Sequence, residues 1–545
     1  MYMKSAILII CDGFGIAPPG PGNAVSLAKP PTINMFFQSF PNTTLIASGD
    51  AVGLPAQEVG NTEVGHLNIG AGRIVNQDLP RINMSIADGS FYSNASLLKA
   101  VEHLAKTGGA FHIIGLTGQG AVHSSIDHLY ALLHFCKEQK IQKVFIHAIT
   151  DGRDSPPKSG SETMRQLEEK LKQMGIGRIA SVSGRYYAMD RDRRWERIEK
   201  SYSCLTKAIG QKATSAVEAV TQSYQSGKTD EFVEPTNIVE NGIPIALIKE
   251  GDAVIFFNYR IDRPRELTKA FVLEDFENQA NQSGSFDPYA IKYDKTHLAK
   301  PTSYNPPFKR GDKIKNLYFI TMTEYEKNLA VDIAYPQYIV RMPIGRVISE
   351  FGLAQLRISE SEKEKFVTFY LNGQRDLAFP LEERQIIPSP KVPTYDLKPE
   401  MSAVEVTDNV IKKMQTRKYT FIAMNFANCD MVGHTGNLSA SMRAVLTVDQ
   451  CLKRIFDTAM ECDYGMFITA DHGNVEQKIN PRTGGISTEH TSNPVPFICI
   501  SKEYRGNFAR LQQGILADVA PTILSYMEIP KPEDMTGRNL LEEIV

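Results

Sequence analysis

Apolar residues in this chain gather in short unbroken runs, and most runs end at a polar turn containing glycine or asparagine. Ala6-Ile7-Leu8-Ile9-Ile10-Cys11 stops at Asp12-Gly13, and Phe111-His112-Ile113-Ile114-Gly115-Leu116 leads to Gly118–His123. Lys143–Ile149 leads to Thr150–Asp154, Ile179–Val182 to Gly184-Arg185, and Ala253–Phe257 to Asn258-Tyr259-Arg260. Asn316–Met322, Phe421–Phe426 and Tyr464–Thr469 repeat the pattern. Runs of this length, β-rich and without alternation, predict strands buried on both faces, as in a parallel sheet. Stretches of helical periodicity such as Ser161–Met174 lie between them, and strand–helix alternation predicts an α/β fold. Asp12 then stands at the carboxyl end of the first strand, where open α/β sheets place their ligands. Taken singly it also suits a turn before glycine.

The pattern breaks twice. From about residue 80 to 310 it reads as a second α/β unit. Glu274–Lys313 is polar and rich in Pro, Gly, Asn and Ser, which predicts a linker or surface insertion. A third alternating section begins at Asn316 and runs to the C-terminus.

Composition narrows the classes. A chain of 545 residues exceeds one ordinary core and predicts two to four domains. A net charge of −2 leaves no overall electrostatic footprint for nucleic acid or an anionic membrane, so any anion site must be a local cluster. Seven scattered cysteines without a Cys-x-x-Cys pair read as reduced thiols. The first apolar run is too short for a signal-peptide core, and none approaches a membrane span. A soluble cytoplasmic protein is expected.

The chemistry starts at Gly60-Asn61-Thr62-Glu63-Val64-Gly65-His66, which continues to Arg73. A hydroxyl between glycines ahead of a helical pattern places the Thr62 oxygen at or near a helix N-terminus, a setting that favours phosphate. Threonine is a poor nucleophile until a base or metal activates it, so metal ligands decide the matter. Asp430 and His434 follow the strand-like run Phe421–Phe426 at a spacing of four, which puts them on one face if the loop turns helical. Asp471-His472 follows Tyr464–Thr469, and Glu489-His490 precedes Ser492–Pro496. Carboxylate and imidazole donors without thiolate suit Mn, Zn or Mg-type ions.

These residues carry a resemblance to the 2,3-bisphosphoglycerate-independent phosphoglycerate mutases of the alkaline phosphatase superfamily. It spans essentially the whole chain and rests on the blocks Gly60–Arg73, Ala148–Pro157, Ser183–Arg191, Phe256–Arg263, Asn425–Gly436, Ala470–Asn474 and His490–Pro496. The resemblance implies an alkaline-phosphatase-like three-layer α/β sandwich built from both chain ends (1–78 and 314–545), with an α/β transferase domain (79–313) inserted. It implies two manganese ions, one held by Asp12, Thr62, Asp471 and His472, the other by Asp430, His434 and His490. It matches His123, Arg153, Asp154, Arg185, Arg191, Arg260, Arg263 and Lys363 to substrate-binding positions, the substrate being 2- or 3-phosphoglycerate and the enzyme a monomer.

The residues support a substrate of that kind, because Arg forks bind phosphate and carboxylate bidentately. Arg178, Arg185, Arg191, Arg193, Arg194 and Arg197 crowd one stretch, and Arg260, Arg263 and Arg265 another. Arg193, Arg194 and Arg197, with acids beside them, read as a solvated helix face. Arg185 and Arg191 sit in a loop after a strand and read as binding residues. Lys363, in Ser-Glu-Ser-Glu-Lys, reads as a surface lysine on composition, and only the resemblance promotes it.

Two departures stand out. The family normally has serine where this chain has Thr62, whose methyl restricts χ1. Cys429 stands where many members have proline, and a packing role is expected. The implied mechanism passes the phosphoryl group to Thr62 and back to the other glycerate hydroxyl. Asp154 is the acid/base candidate and His123 a partner at the phosphate, with domain closure needed to retain glycerate. The rivals are a metal-dependent phosphatase or phosphodiesterase with the same residues, and a catalytically silent phosphometabolite sensor.

Overall fold

The structure, a computed structural model, describes residues 3–282, 305–507 and 509–542. The chain divides into two units, one made of Met1–Gln77 with Tyr338–Val545 and the other of Asp78–Gln337.

The first unit is built on an eight-stranded sheet. Its order is Glu382–Ile387, Gln355–Glu360, Phe421–Phe426, Ser5–Cys11, Tyr464–Thr469, Val495–Ile500, Asn42–Ile46 and Gly514–Ile515. Ser5–Cys11 lies in the middle, parallel to both neighbours, with Ile10 paired to Asn425 on one side and Thr469 on the other. That register matters for function. It ends three strands at one level, so the loops carrying Asp12, Asp430 and Asp471 leave the same edge of the sheet. Val495–Ile500 is antiparallel to both of its neighbours.

Both faces of the central strand are covered. Ile7, Leu8, Ile9 and Ile10 are fully buried, each contributing roughly 1.5–3 kcal/mol of transfer free energy. The helices fall into two sets, one packing around Leu438–Cys462 and the other around Thr62–Ala71. A three-layer arrangement results. The first set is tied by a buried acid: both oxygens of Asp449, on the long helix, accept the Thr32 and Ile33 N–H groups at the start of helix Pro31–Ser39, at 3.1 and 2.8 Å. A carboxylate there satisfies donors that have no partner within the helix and complements its dipole.

The second unit has its own sheet. The order is Asp332–Tyr335, Tyr318–Thr323, Ala253–Phe256, Phe111–Leu116, Val144–Thr150, Arg178–Gly184, Thr236–Glu240 and Gln211–Ala213, with Ile243–Pro244 added beside Thr236–Glu240. Pairing is parallel except where Thr236–Glu240 meets Arg178–Gly184 and Ile243–Pro244. A buried polar chain crosses the middle of this sheet. His112 Nε2 faces Asp252 Oδ2 at 3.2 Å, His112 Nδ1 meets His147 Nε2 at 2.9 Å, and His147 Nδ1 meets Ser181 Oγ at 2.8 Å.

Two sequence expectations are corrected here. The boundary expected at 313/314 falls after Gln337, because Tyr318–Thr323 hydrogen-bonds to Ala253–Phe256 and carries Asp332–Tyr335 on its other edge. The apolar run beginning at Asn316 therefore completes the inserted sheet. Nor is Glu274–Lys313 simply a linker. Residues 283–304 of it lie outside the described residues, but both flanks pack into the second unit: Phe276 and Phe308 are buried with ring centroids 4.9 Å apart. Buried Arg310 donates to the Ala270, Leu273 and Glu274 carbonyls, satisfying acceptors at the end of helix Arg265–Val272.

Candidate metal and anion sites

Thr62 is the first residue of helix Thr62–Ala71, whose N-cap Asn61 accepts the Val64 N–H at 3.0 Å. The cap holds the start of the helix against the strand ends. Gly65, one turn on, lets this happen: a Cβ there would lie 2.6 Å from both the Cβ and the carbonyl oxygen of Asp471. The Thr62 hydroxyl is thereby placed 3.0 Å from His472 Nε2, 3.2 Å from Lys363 Nζ and 3.4 Å from Asp12 Oδ1.

Around that oxygen the structure brings together Asp12, Asp430, Asp471, His434, His472 and His490. Among the described residues two groups have donor atoms close enough to share an ion: Asp12 with Asp471 and His472, and Asp430 with His472 and His490. His434 completes the second, its Nε2 lying 3.1 Å from both Asp430 Oδ1 and His490 Nε2.

The donor set itself calls for cations. His434 Nδ1 donates to the Thr488 carbonyl at 2.8 Å and His490 Nδ1 to the Gly60 carbonyl at 2.9 Å. In the neutral rings both Nε2 atoms then present lone pairs, to one another and to Asp430 Oδ1, with no proton between them. A divalent ion satisfies three such acceptors at once, and a second hydrogen bond of this kind is the usual way a ligating histidine is oriented. Charge tells the same story. Three buried carboxylates face the buried ammonium of Lys363, which spans Asp12 at 2.8 Å and Asp430 at 2.7 Å. Burial opposes charge on Lys363 and on His472, but the aspartates outweigh it: both pKa values rise, that of His472 to about 10. Burial would equally push Asp430 and Asp471 upward, yet Lys363 and the imidazoles hold both low. Protons occupy the nitrogens only where no metal competes for them.

Several supports of this centre have no counterpart among the sequence candidates. Asn425 Nδ2 donates to Asp12 Oδ2 at 2.8 Å and reaches His66 Nε2 at 3.0 Å, while His66 Nδ1 donates to the Thr62 carbonyl at 2.9 Å. Buried Glu476 accepts from the backbone of Gly15 and Asn474 and from the side chains of Thr491 and Asn493, tying three ligand loops together. Glu476 lies five residues past Asp471 in a polar loop, so pattern alone does not mark it. Lys363 is a correction to the surface reading. It is buried among the candidate metal ligands, because the turn Ser361–Lys363 follows the buried strand Gln355–Glu360 and points it at the strand ends. Cys429 is buried and its thiol is pushed up by burial, as a packing residue requires.

The remaining candidates belong to the inserted unit. Arg185, buried, bonds Asp151 at 2.5 Å and Asp154 at 2.6 Å. Arg191 meets Asp262 at 2.6 Å, and Arg260 meets the same carboxylate at 3.1 Å. Arg263 donates to the Met189 carbonyl at 3.1 Å, and the more exposed Arg153 pairs with Glu231 at 3.3 Å. His123 lies between two acids, 3.8 Å from Asp154 and 3.7 Å from Asp262. Burial, helped by Arg185, lowers the His123 pKa to about 3, so the ring is neutral. Burial and the neighbouring Arg185 and Arg191 lower that of Arg263 to about 10. Guanidiniums crowded enough to disfavour one another form a site prepared for an anion. Arg194 and Arg197 turn to Asp192 and Asp190, Arg178 to Glu240, and Arg265 to the Tyr325 carbonyl. Asp151 and Asp262 escaped the sequence reading although each lies within two residues of a candidate. An acid beside arginines looks like a solvated pair until its burial is known.

Oxygen and imidazole donors around a helix-borne hydroxyl, together with an inserted arginine-lined α/β unit, are the kinds of groups that metal-assisted phosphoryl transfer uses. The family description "BPG-independent PGAM N-terminus" matches residues 82–327. The 2,3-bisphosphoglycerate-independent phosphoglycerate mutase of Clostridium beijerinckii is 47% identical over 542 residues, covering 99% of both chains. That of Moorella thermoacetica is 48% identical over 538 residues, covering 99% of this chain and 98% of its own. Among solved structures, Leishmania mexicana phosphoglycerate mutase at low cobalt concentration superposes with a TM-score of 0.59 and 27% identity, over 98% of this chain and 97% of that one. The chain belongs to the 2,3-bisphosphoglycerate-independent phosphoglycerate mutases and is an enzyme of the isomerase class.

Proposed function

We propose that this enzyme interconverts 3-phosphoglycerate and 2-phosphoglycerate without bisphosphoglycerate, through a phosphothreonine at Thr62. The observation that carries the reading is the Thr62 hydroxyl, buried among Asp12, His472 and Lys363 at the start of a helix.

Two divalent ions, manganese by preference, fit the donor set: Asp12, Asp471 and His472 beside Thr62 for one, and Asp430, His434 and His490 for the other. When bound, they lower the pKa of a hydroxyl and neutralise charge on a transferring phosphoryl group. The chain's own residues do the rest. Thr62 Oγ1 attacks phosphorus and loses its proton as the substrate's ester P–O bond breaks, and the departing glycerate oxygen takes up a proton. The other glycerate hydroxyl then attacks the phosphothreonine and restores Thr62. Lys363, held 3.2 Å from Thr62 Oγ1, keeps a fixed positive charge where negative charge develops. Arg153, Arg185, Arg191, Arg260 and Arg263 bind the substrate's carboxylate and phosphate, and neutral His123 offers a hydrogen bond without adding charge. Asp154, bonded to Arg185 and 3.8 Å from His123, is the group that moves a proton on and off the glycerate hydroxyls. The enzyme is proposed to act as a cytoplasmic monomer. No helix among the described residues is long and apolar enough to cross a membrane.

The test is a labelling experiment. The manganese-loaded enzyme given 3-phosphoglycerate labelled with 32P should form 2-phosphoglycerate with little free phosphate, and an acid-trapped digest should carry label on Thr62. Thr62→Ala should abolish both. Turnover by that variant would remove Thr62 from the nucleophile's role, and phosphate as the main product would mark a phosphatase.

A further inference from the structure

Within the inserted unit one carboxylate holds two of the arginines and faces the histidine. Asp262 Oδ2 accepts from Arg191 Nη1 at 2.6 Å, Asp262 Oδ1 accepts from Arg260 Nε at 3.1 Å, and Oδ1 also lies 3.7 Å from His123 Nδ1, a buried nitrogen without a hydrogen-bond partner. The aspartate is short and its backbone is anchored. Asn258 Oδ1 accepts the Leu116 N–H at 2.9 Å, the Tyr325 hydroxyl donates to the Phe256 and Asn258 carbonyls at 2.8 and 2.6 Å, and the Tyr259 and Arg260 N–H groups donate to the His123 carbonyl at 2.9 and 3.2 Å. Arg191 and Arg260, by contrast, are long side chains from segments 69 residues apart. Each has rotamer freedom to lose on ordering, and the two repel each other.

We infer that Asp262 is a positioning residue, one that never touches the reacting atoms but sets Arg191 and Arg260 in their anion-binding pose before substrate arrives and orients the His123 ring between itself and Asp154. This rests on the phosphoglycerate reading above for its substrate. The physical case is preorganisation. A buried carboxylate shared by two guanidiniums pays their ordering in advance and screens their repulsion, so substrate binds to a formed site. Burial would push the Asp262 carboxyl up, and the surrounding Arg260 and Arg191 guanidiniums hold it low, so it keeps the charge this role needs.

The experiment compares the manganese-loaded wild type with Asp262→Asn, which preserves shape and removes charge, and with Asp262→Glu, which restores charge. The Asn variant should raise KM for 3-phosphoglycerate about tenfold, with a smaller fall in kcat and an unchanged melting temperature, and Glu should recover part of the loss. In an Arg191→Met background, Asp262→Asn should cost much less than it does alone, because its main client is gone. A KM within twofold of wild type, or strictly additive losses, overturns the inference. A crystal structure of Asp262→Asn reads the same point without any substrate: the Arg191 and Arg260 guanidiniums should move, and their staying in place also overturns it. Failure of the wild type to isomerise phosphoglycerate would instead sink the functional reading and leave the crystallographic arm to decide Asp262.

Discussion

At the scale of single residues, the most informative side chain is Lys363. It places an ammonium directly against two of three buried aspartates, and it touches Thr62 as well. Breaking a buried ion pair from one side leaves an uncompensated charge and costs about 3–5 kcal/mol. Lys363→Met is therefore expected to lower the melting temperature of the metal-free protein, and to reduce kcat by about a hundredfold or more after manganese is restored, since a fixed charge at the proposed nucleophile is lost. Near-normal turnover in the reloaded variant would show that the ions alone balance the centre. Nothing in Ser359–Lys363 announces this role. A lysine among glutamates is what a solvated turn looks like, and only its burial behind strand Gln355–Glu360 separates the two readings. Asp12 shows the opposite situation. It ends an unbroken apolar run, and such runs become central strands, so its place at a strand's carboxyl end was legible from pattern.

At the scale of elements, the proposed metal centre depends on how close one helix comes to three strand ends. Gly65 sets that distance, with no room for a Cβ against Asp471. Gly65→Ala must push helix Thr62–Ala71 away or shift the Asp471 loop. Manganese affinity by calorimetry should fall by about tenfold or more, although alanine is the better helix former. Unchanged affinity would mean that the loop yields at no cost. Glu476→Gln addresses the other side of the centre without touching any ligand. Removing the charge that four donors share should weaken manganese binding while the sheet core is unaffected, as read by the melting temperature of the metal-free protein. The strands and the helix at Thr62 were readable because apolar runs and caps are local signals. The place of Tyr318–Thr323 was not. A buried parallel strand carries the same apolar run in either sheet, and pairing with Ala253–Phe256 is decided by tertiary contact.

At the scale of the whole molecule, the two units should respond differently to acid. His123, His128 and His147 are buried in the inserted unit. Burial lowers their pKa values, to about 3 for His123, about 4 for His128, and well below the usual range for His147, where His112 adds to the effect. The unfolded chain, with histidine near 6.5, therefore binds more protons than the folded one once pH falls below about 6.5. Each histidine lowers the stability of this unit as pH falls, by up to about 1.4 kcal/mol per pH unit, an effect partly offset by Glu266 and Asp78, whose carboxyls burial pushes up to about 8 and about 6. Amide exchange in Phe111–Leu116 and Val144–Thr150 should quicken progressively from pH 6.5 to 5, and constant protection across that range would contradict the assignment. In the first unit, on the proposed two-ion reading, protons compete with metal instead, so manganese affinity should fall over the same range and thermal stability should depend on added metal.

The sequence by itself determined the α/β class, the strand ends that bear Asp12, Asp430 and Asp471, the helix start at Thr62 and the family, because each is written in local periodicity or in contiguous blocks of residues. The tertiary structure alone decided which sheet the run after Asn316 joins, that Lys363 is buried beside Thr62, and that Asn425, Glu476, Asp151 and Asp262 bond to the candidate site residues or to the loops that carry them. Those facts depend on burial and on contacts between residues far apart in the chain. A carboxylate or ammonium in solvent and one sealed among opposite charges have the same letter in a sequence and differ only in what folding puts around them.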